Sequence, residues 1–440
     1  MDRPDDLISG QRAGEISDSV EAAVRSGALP PGHRLPPVRA LAGRLAVSPT
    51  TVASAYRGLR LRGIVTAAGR RGTRVAERPP IAAAIRIPDP PGARRLWEGN
   101  PDPDLLPDLG PVLARIGGSR RLYGEASNRP ELLDAAAAAF LQDGVRPDFL
   151  AVVGGALDGI ERTLAAHLRP GDGVAVEDPG YAAVFDLVAA LGLRAVPVGL
   201  DDYGPLPADV ERALDGRVEA MIFTPRAQNP FGSAYDARRV RELGELLARH
   251  PEVLVVEDDH AGPVAGAAAL SVAPGRARWA VVRSVSKSLG PDLRLAVMAG
   301  DPVTISRVEG RQRIGAGWVS HVLQRTVVDL WSDPATSRLL DRAVGEYARR
   351  RVEVVAALAA VGFPAHGRSG LNVWVPVADE VAALRRLGEA GWAVAPGQRY
   401  RILSGPGIRI SIGSLQPGEA AGIAGALAGG AAAPSLTRSA

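Results

Sequence analysis

The sequence predicts a small helical head with a β-hairpin, joined by a Pro-rich linker to a large α/β body built on a largely parallel sheet. Three observations carry that prediction. Two short amphipathic segments follow one another between residues 37 and 59, 13 Arg against 7 acidic residues fall in the first 78 positions, and farther on short apolar runs alternate with helix-length segments. At 440 residues and 46% apolar composition the chain can bury a sizeable core, and its length points to roughly two or three domains. The 51 Gly and 36 Pro are scattered among periodic segments and read as turns. The absence of Cys excludes disulfides, thiolate metal sites and cysteine nucleophiles, and the six His form no ligand-spaced pair, so no metal is expected. The first residues carry no basic stretch followed by an apolar one, and no run approaches the roughly 18 apolar residues of a membrane span. The expectation is a soluble cytoplasmic protein with no membrane partner. Net charge is +4, of which the first 78 residues contribute +6. That excess suits nucleic-acid contact, and a solvated basic surface would look the same.

Val38, Leu41, Ala42 and Leu45 fall at i, i+3, i+4 and i+7 behind Pro37, a residue suited to a first helical turn. Ser48 then precedes Pro49 as an N-cap would, and Val52, Ala55, Tyr56 and Leu59 repeat the spacing. Two short helices joined by so tight a turn make a helix-turn-helix, whose second helix presents Pro49, Thr50, Thr51 and Ser54 to base edges. Ile64 to Ala67 and Thr73 to Val75 flank Gly69-Arg70-Arg71-Gly72, a hairpin with a doubly basic tip, the wing of a winged helix. Arginines on such a tip can enter a minor groove or neutralise phosphates. The DNA-binding head is assigned to residues 1–78. Residues 77 to 93 are rich in Pro and Ala without a sustained period, and a linker is placed at 79–96, a semi-rigid spacer or a passive tether.

In the body, the runs at Val174–Val176, Ala195–Val198, Met221–Phe223, Val253–Val256, Ala280–Val282 and Leu295–Met298 read as strands of a buried sheet. Ligands bind such sheets at the carboxyl ends of the strands. There Glu257-Asp258-Asp259-His260 follows one run, and Arg283-Ser284-Val285-Ser286-Lys287 follows another. Lys287 is the only lysine, so 51 of the 52 basic residues are Arg. A chain that otherwise uses Arg for its cations has kept an amine where an imine can form, which guanidinium cannot do. Ser284, Ser286 and Arg294 suit a phosphate, and Gly154-Gly155-Ala156, ahead of a helix, offers backbone N–H groups to the same anion. Asp258 would pair with the pyridine nitrogen of pyridoxal 5'-phosphate.

The ordered series Gly27 to Arg39, Val47 to Val52 and Arg70 to Thr73 resembles the GntR-type winged helix across the whole head. The body resembles the fold type I aminotransferases. Ser284-x-Ser286-Lys287-x-Leu289-x-Pro291-x-Leu293-Arg294 is similar to the pattern of the MocR subfamily, which fuses the two. The resemblance implies operator contacts by Arg39, Ser48, Pro49, Thr50, Thr51, Arg57 and the Arg70, Arg71 and Gly72 wing. In the body it implies Lys287 as the Schiff-base lysine, with Asp258, His260, Asn229, Tyr181, Gly155, Ala156, Ser284, Ser286 and Arg294 around the cofactor. Asn229 would bond the phenolic oxygen and Tyr181 would stack on the ring. It further implies that Tyr123 reaches a phosphate across a homodimer interface and that Arg409 clamps an effector carboxylate. The large cofactor-binding part is expected at 97–302 and a smaller one at 303–440, with a disordered tail from Gly429. Three positions depart from the pattern: His260 stands where Tyr is usual, Asn128 where Gly is usual, and Ala227 where the regulators often carry His.

The function expected is a regulator that binds double-stranded operator DNA and senses an amino acid, an amine or pyridoxal phosphate. The alternative is a working aminotransferase with an accessory DNA-binding head, and a third possibility is a vestigial body that only dimerises the head.

Overall fold

The computed structural model describes residues 4–25, 27–61, 64–67, 72–76, 92–116 and 121–429. The head comprises α1 (Ala13–Arg25), α2 (Val38–Leu45) and α3 (Pro49–Leu61), followed by the strands β1 (Val65–Ala67) and β2 (Thr73–Val75). Helix α1, which the sequence reading passed over, places Ile16, Val20 and Ala23 on one face, and these close a core with Leu41, Val52, Ala55 and Leu59. Helix α2 stops because Ala46 takes a left-handed φ of 55° and returns its N–H to Ala42 and Gly43. Strands β1 and β2 pair antiparallel, with Val65 opposite Val75. Residues 32–35 extend the hairpin on its outer edge, since Gly32 N–H donates to Val75, Val75 to His33 and Leu35 to Thr73. Arg70 and Arg71 lie outside the described residues, whereas Gly72 is described and takes φ 84°.

The linker expected at 79–96 ends in structure: β3 (Arg94–Arg95) pairs in parallel with a strand at Trp392–Ala393, far along the chain. Next come α4 (Gly110–Arg115), α5 (Pro130–Gln142), β4 (Phe149–Val153), α6 (Ala156–His167), β5 (Gly173–Asp178), α7 (Ala182–Ala190), β6 (Arg194–Asp201) and β7 (Gly204–Pro205). The succession continues through α8 (Pro207–Asp215), β8 (Ala220–Phe223), α9 (Ala237–Ala248), β9 (Leu254–Asp259), β10 (Trp279–Ser284) and β11 (Ala296–Gly300). These strands form an eight-stranded sheet of order β4-β11-β10-β9-β8-β5-β6-β7. Neighbours from β10 to β6 are parallel, while β11 runs against both β10 and β4. Its strands read as continuous apolar runs because both faces are covered. Val174, Val176, Leu254, Val256, Ala280 and Val282 face one core, and Ala175, Val255 and Val281 face the other.

After β11 follow α10 (Pro302–Ile314), α11 (His321–Trp331), α12 (Pro334–Ala360), β12 (Asn372–Pro376), α13 (Glu380–Glu389), β13 (Trp392–Ala393), β14 (Ala395–Pro396), β15 (Gly407–Ser411) and α14 (Glu419–Ala428). The division expected at 302 is not where the cores divide. Ile305 and Val308 of α10 pack on one face of the large sheet, and Val327 and Leu330 of α11 pack on the other. The second core begins with α12 and gathers Tyr347, Val354, Val373, Ile408, Ile410 and Ile423. It also takes in Leu96 and Leu105, so the chain entering the body joins this smaller unit before it reaches the sheet. The two units are bridged by Ser369, whose hydroxyl accepts the Ala227 N–H at 2.7 Å. The head rests on the large unit through contacts of α1 with α7, and a Cβ added at Gly27 would stand 3.4 Å from that of Arg194.

Candidate functional site

The site forms where the carboxyl ends of β5, β9 and β10 meet the smaller unit. Strand alternation sends Asp258 and Ser284 to the same face of the sheet as Val256 and Val282, and register places Asp258 beside Val282. Asp258 is 4% exposed, with one carboxylate oxygen buried and unpartnered. Burial, then Asp259 and Glu177, raise this acid to about 8. Asp259, on the opposite face, behaves differently. Burial pushes it up, but the guanidinium of Arg226 at 2.8 Å and that of Arg283 at 2.7 Å outweigh burial and hold it at about 2.

Lys287 follows β10 in a tight turn and donates from Nζ to the Gly99 carbonyl at 2.8 Å. Burial, then the nearby Arg409, lower it to about 8, so the unprotonated amine is accessible near neutrality. His260, half-buried after β9, is pushed down to about 4 by burial and then by Lys287. It is a neutral imidazole at neutral pH.

The elements of an anion cup converge close by. Helix α6 begins at Ala156 after Gly155, whose φ of 108° favours glycine. A Cβ at position 155 would lie 2.9 Å from the Arg294 guanidinium, which donates to the Gly154 carbonyl at 3.2 Å. Ser284 and Ser286 share a hydroxyl contact of 2.9 Å, and the Ser286 N–H donates to the Ser284 hydroxyl. Two serines, a guanidinium and a helix N-terminus are the donor set a phosphate requires.

Arg409 lies on β15 of the smaller unit, 4% exposed, and burial lowers its pKa. It donates to Asn229 Oδ1 at 3.0 Å and to the Trp97 carbonyl, and it stacks 4.8 Å above the Tyr400 ring. Its Nε is buried without a partner. Tyr181 is the residue just before α7, and its hydroxyl is raised by burial and then by Asp258 and Tyr400. Tyr400 is held there because Gly180 N–H donates to its carbonyl at 2.7 Å, and because Asp178 accepts from the N–H groups of Ile402, Leu403 and Ser404.

Of the body residues expected from sequence, Asp258, Ser284, Gly155, Ala156 and Tyr181 lie at strand or helix ends of the large unit, His260, Ser286, Lys287, Arg294 and Asn229 lie in the loops that follow its strands, and Arg409 lies mid-strand on β15 of the smaller unit. Tyr123 is not brought there by its own chain: it is 92% exposed, with its ring against Trp318 at 5.5 Å. Asn128 bonds Glu309 at 2.9 Å, and Ala227 takes a left-handed φ of 55°. Trp97, Gly99 and Tyr400 escaped the sequence reading, since two of them act through backbone carbonyls that no side chain announces.

In the head, the Ser48 hydroxyl accepts the Thr51 N–H at 3.1 Å and so caps α3. Arg39, Ser48, Pro49, Thr50 and Arg57 are exposed, and Thr51 is half-buried. A shallow cleft of about 260 Å³ opens between α3 and the wing, lined by Tyr56, Arg57, Arg60, Val65 and Thr73. Basic groups flanking a helix N-terminus and a hairpin fit a duplex groove with its phosphates.

Residues 95–427 match the family described as aminotransferase class I and II, and residues 12–75 match the bacterial regulatory proteins of the gntR family. The chain is 40% identical over 419 residues to the vitamin B6 salvage pathway transcriptional repressor PtsJ of Salmonella typhimurium, covering 94% of this chain and 97% of that one. It is 26% identical over 437 residues to the HTH-type transcriptional regulator TauR of Rhodobacter capsulatus, with 88% of each chain covered. Among solved structures, the α-aminoadipate aminotransferase LysN of Thermus thermophilus, in complex with N-(5'-phosphopyridoxyl)-L-leucine, superposes with a TM-score of 0.67 at 21% identity. That superposition covers 77% of this chain and 93% of that one.

Proposed function

We propose, for a chain that belongs to the GntR-type transcriptional regulators with an aminotransferase class I and II body, that ligand binding at Lys287 sets the affinity of the head for its operator. The observation that carries this reading is the buried, unpartnered oxygen of Asp258 beside an amine and a phosphate-type cup. A protonated pyridine nitrogen satisfies that oxygen, an aldehyde satisfies the Lys287 amine, and a phosphate ester satisfies the cup, so the donor set fits pyridoxal 5'-phosphate. When bound, that group supplies an aldehyde carbon to the lysine and an electron-withdrawing ring. The chain's own residues do the rest. Ser284, Ser286, Arg294 and the backbone of Gly155 and Ala156 would hold the phosphate, Asn229 and His260 would serve the ring oxygen, and Tyr181 would pack on the ring. Arg409 is the group suited to a carboxylate, should the sensed molecule be an amino acid.

The relative named for vitamin B6 salvage, similar over nearly the full length, favours pyridoxal phosphate itself as a sensed ligand. A homodimer on operator half-sites suits an exposed Tyr123 and a head that carries its own recognition helix. The test is a titration of the purified full chain with pyridoxal 5'-phosphate, followed by the visible absorbance of the bound aldehyde and by operator binding at fixed salt. The expected result is a saturable absorbance change, absent in Lys287→Ala, together with a change in operator affinity. An unchanged operator affinity at saturation would remove the sensing function.

A further inference from the structure

The chain that leaves the head enters the body at β3, and the residues immediately after it run between the two cations of the ligand site. Trp97 gives its carbonyl to Arg409, and Gly99 gives its own to Lys287 at 2.8 Å. Gly99 takes φ 66°, and a Cβ there would stand 3.5 Å from the Arg409 guanidinium. Glycine suits both the left-handed backbone and that close passage. Upstream, this segment is tied by the Arg94 and Leu96 N–H groups to Gly391 and Ala393, and by the Leu96 carbonyl to Ser411 N–H. It is therefore the C-terminal anchor of the tether that carries the head.

We infer that the Gly99 carbonyl reads the covalent state of Lys287 and passes it along β3 to the linker and the head. The inference rests on the reading of Lys287 as the aldehyde's anchor. Lys287 Nζ, as amine or ammonium, holds a hydrogen for the Gly99 oxygen. When the amine condenses with an aldehyde, one carbon–nitrogen double bond forms, two N–H bonds break, and the two hydrogens leave with the aldehyde oxygen as water. The nitrogen then keeps at most one proton, which it shares with the phenolic oxygen next to the former aldehyde, so none is left to donate to Gly99. The carbonyl loses its partner, and the 97–100 segment loses its tie to Lys287 while Trp97 keeps its contact to Arg409. An aldehyde is thus sensed by the loss of a hydrogen bond, without a second ligand and without turnover.

The test compares full-length protein alone, with pyridoxal 5'-phosphate, and with pyridoxamine 5'-phosphate, which shares ring and phosphate but has no aldehyde to condense. Amide exchange is read over residues 94–100 and operator affinity is read in parallel. Exchange should accelerate about fivefold with the aldehyde and stay unchanged with the amine, the factor expected for losing one net hydrogen bond. Lys287→Met keeps the side-chain length and removes the donor, so without any ligand it should show the accelerated exchange and the operator affinity of the aldehyde-loaded wild type. Equal responses to the two ligands, or Lys287→Met behaving as ligand-free wild type, would overturn the inference. If the aldehyde changes operator affinity while the 94–100 segment exchanges as before, the coupling through Gly99 is wrong and the sensing function stands. Failure of the aldehyde to bind removes both.

Discussion

Asp258 shows how a single side chain is set by what surrounds it. A carboxyl raised to about 8 binds its proton more tightly in the fold than in the unfolded chain. Its contribution to stability is therefore complete below its ordinary value of 3.8 and is lost as pH climbs through about 8. Glu177 and Glu257, raised to about 7 chiefly by burial, act with the same sign. The ligand-free chain should accordingly melt at lower temperature as pH rises from about 4 to 8. Asp258→Asn should flatten that slope and raise the melting temperature relative to wild type at pH 8, with little difference near pH 4. With pyridoxal 5'-phosphate bound the order at pH 8 should reverse, because the amide cannot balance a protonated pyridine nitrogen. A slope in the asparagine variant equal to that of wild type would show that Asp258 does not carry its proton in the fold. Lys287 stands out in the sequence because it is the sole lysine, whereas Asp258, Ser284 and Ser286 gain meaning only from lying after apolar runs near it in order. The carbonyls of Trp97 and Gly99 were not legible, because every residue has one and only the path of the backbone selects these two.

At the scale of elements, periodicity and caps carried the reading. Apolar runs between 174 and 298 became strands because a sheet covered on both faces needs no alternation, and Ser48 marked the start of α3 because its hydroxyl takes an otherwise unpaired helical N–H. Ser48→Ala should cost the head about 1 kcal/mol, measured by denaturant melting of the full chain with a probe in the head. It should weaken operator binding by more than the stability change predicts, since Ser48 and Thr50 are exposed on the same helix end. Full operator affinity in the alanine variant would place the DNA contacts elsewhere on α3. Helix α1 was passed over although Ile16, Val20 and Ala23 carry a helical spacing. Its partners, Val52 and Leu59, come from a later helix and were themselves legible. Helices α10 and α11, beyond the boundary expected at 302, return Ile305 and Leu330 to the two faces of the sheet.

Across the whole molecule, the consequence to test is the seating of the head on the body. Helix α1 rests on α7, whose first turn begins beside Tyr181, and Gly27 meets Arg194 with Cβ positions 3.4 Å apart. That separation is close to the disulfide range of roughly 3.5–4.5 Å, and the chain has no Cys of its own to compete. Gly27→Cys with Arg194→Cys should therefore form one cross-link under mild oxidation. The left-handed backbone at 27 should cost about 1–2 kcal/mol. The oxidised protein should hold the head at one orientation, so that operator affinity no longer responds to pyridoxal 5'-phosphate, and reduction should restore the response. Failure to cross-link, or a response that persists in the oxidised form, would mean that the head is not seated on α7 when it signals. By itself the sequence determined a helix-turn-helix head and an α/β body, and it singled out the amine, acid and hydroxyls of the candidate site, because these follow from local periodicity and from side-chain chemistry. Only the tertiary structure decided that residues 97–100, just after the tether, run through the ligand site, that the smaller unit takes in residues before the sheet, and that Lys287 and Arg409 share one stretch of backbone. Those facts depend on contacts between residues some 190 to 310 positions apart, and no local pattern in a chain encodes which distant carbonyl an amine will meet.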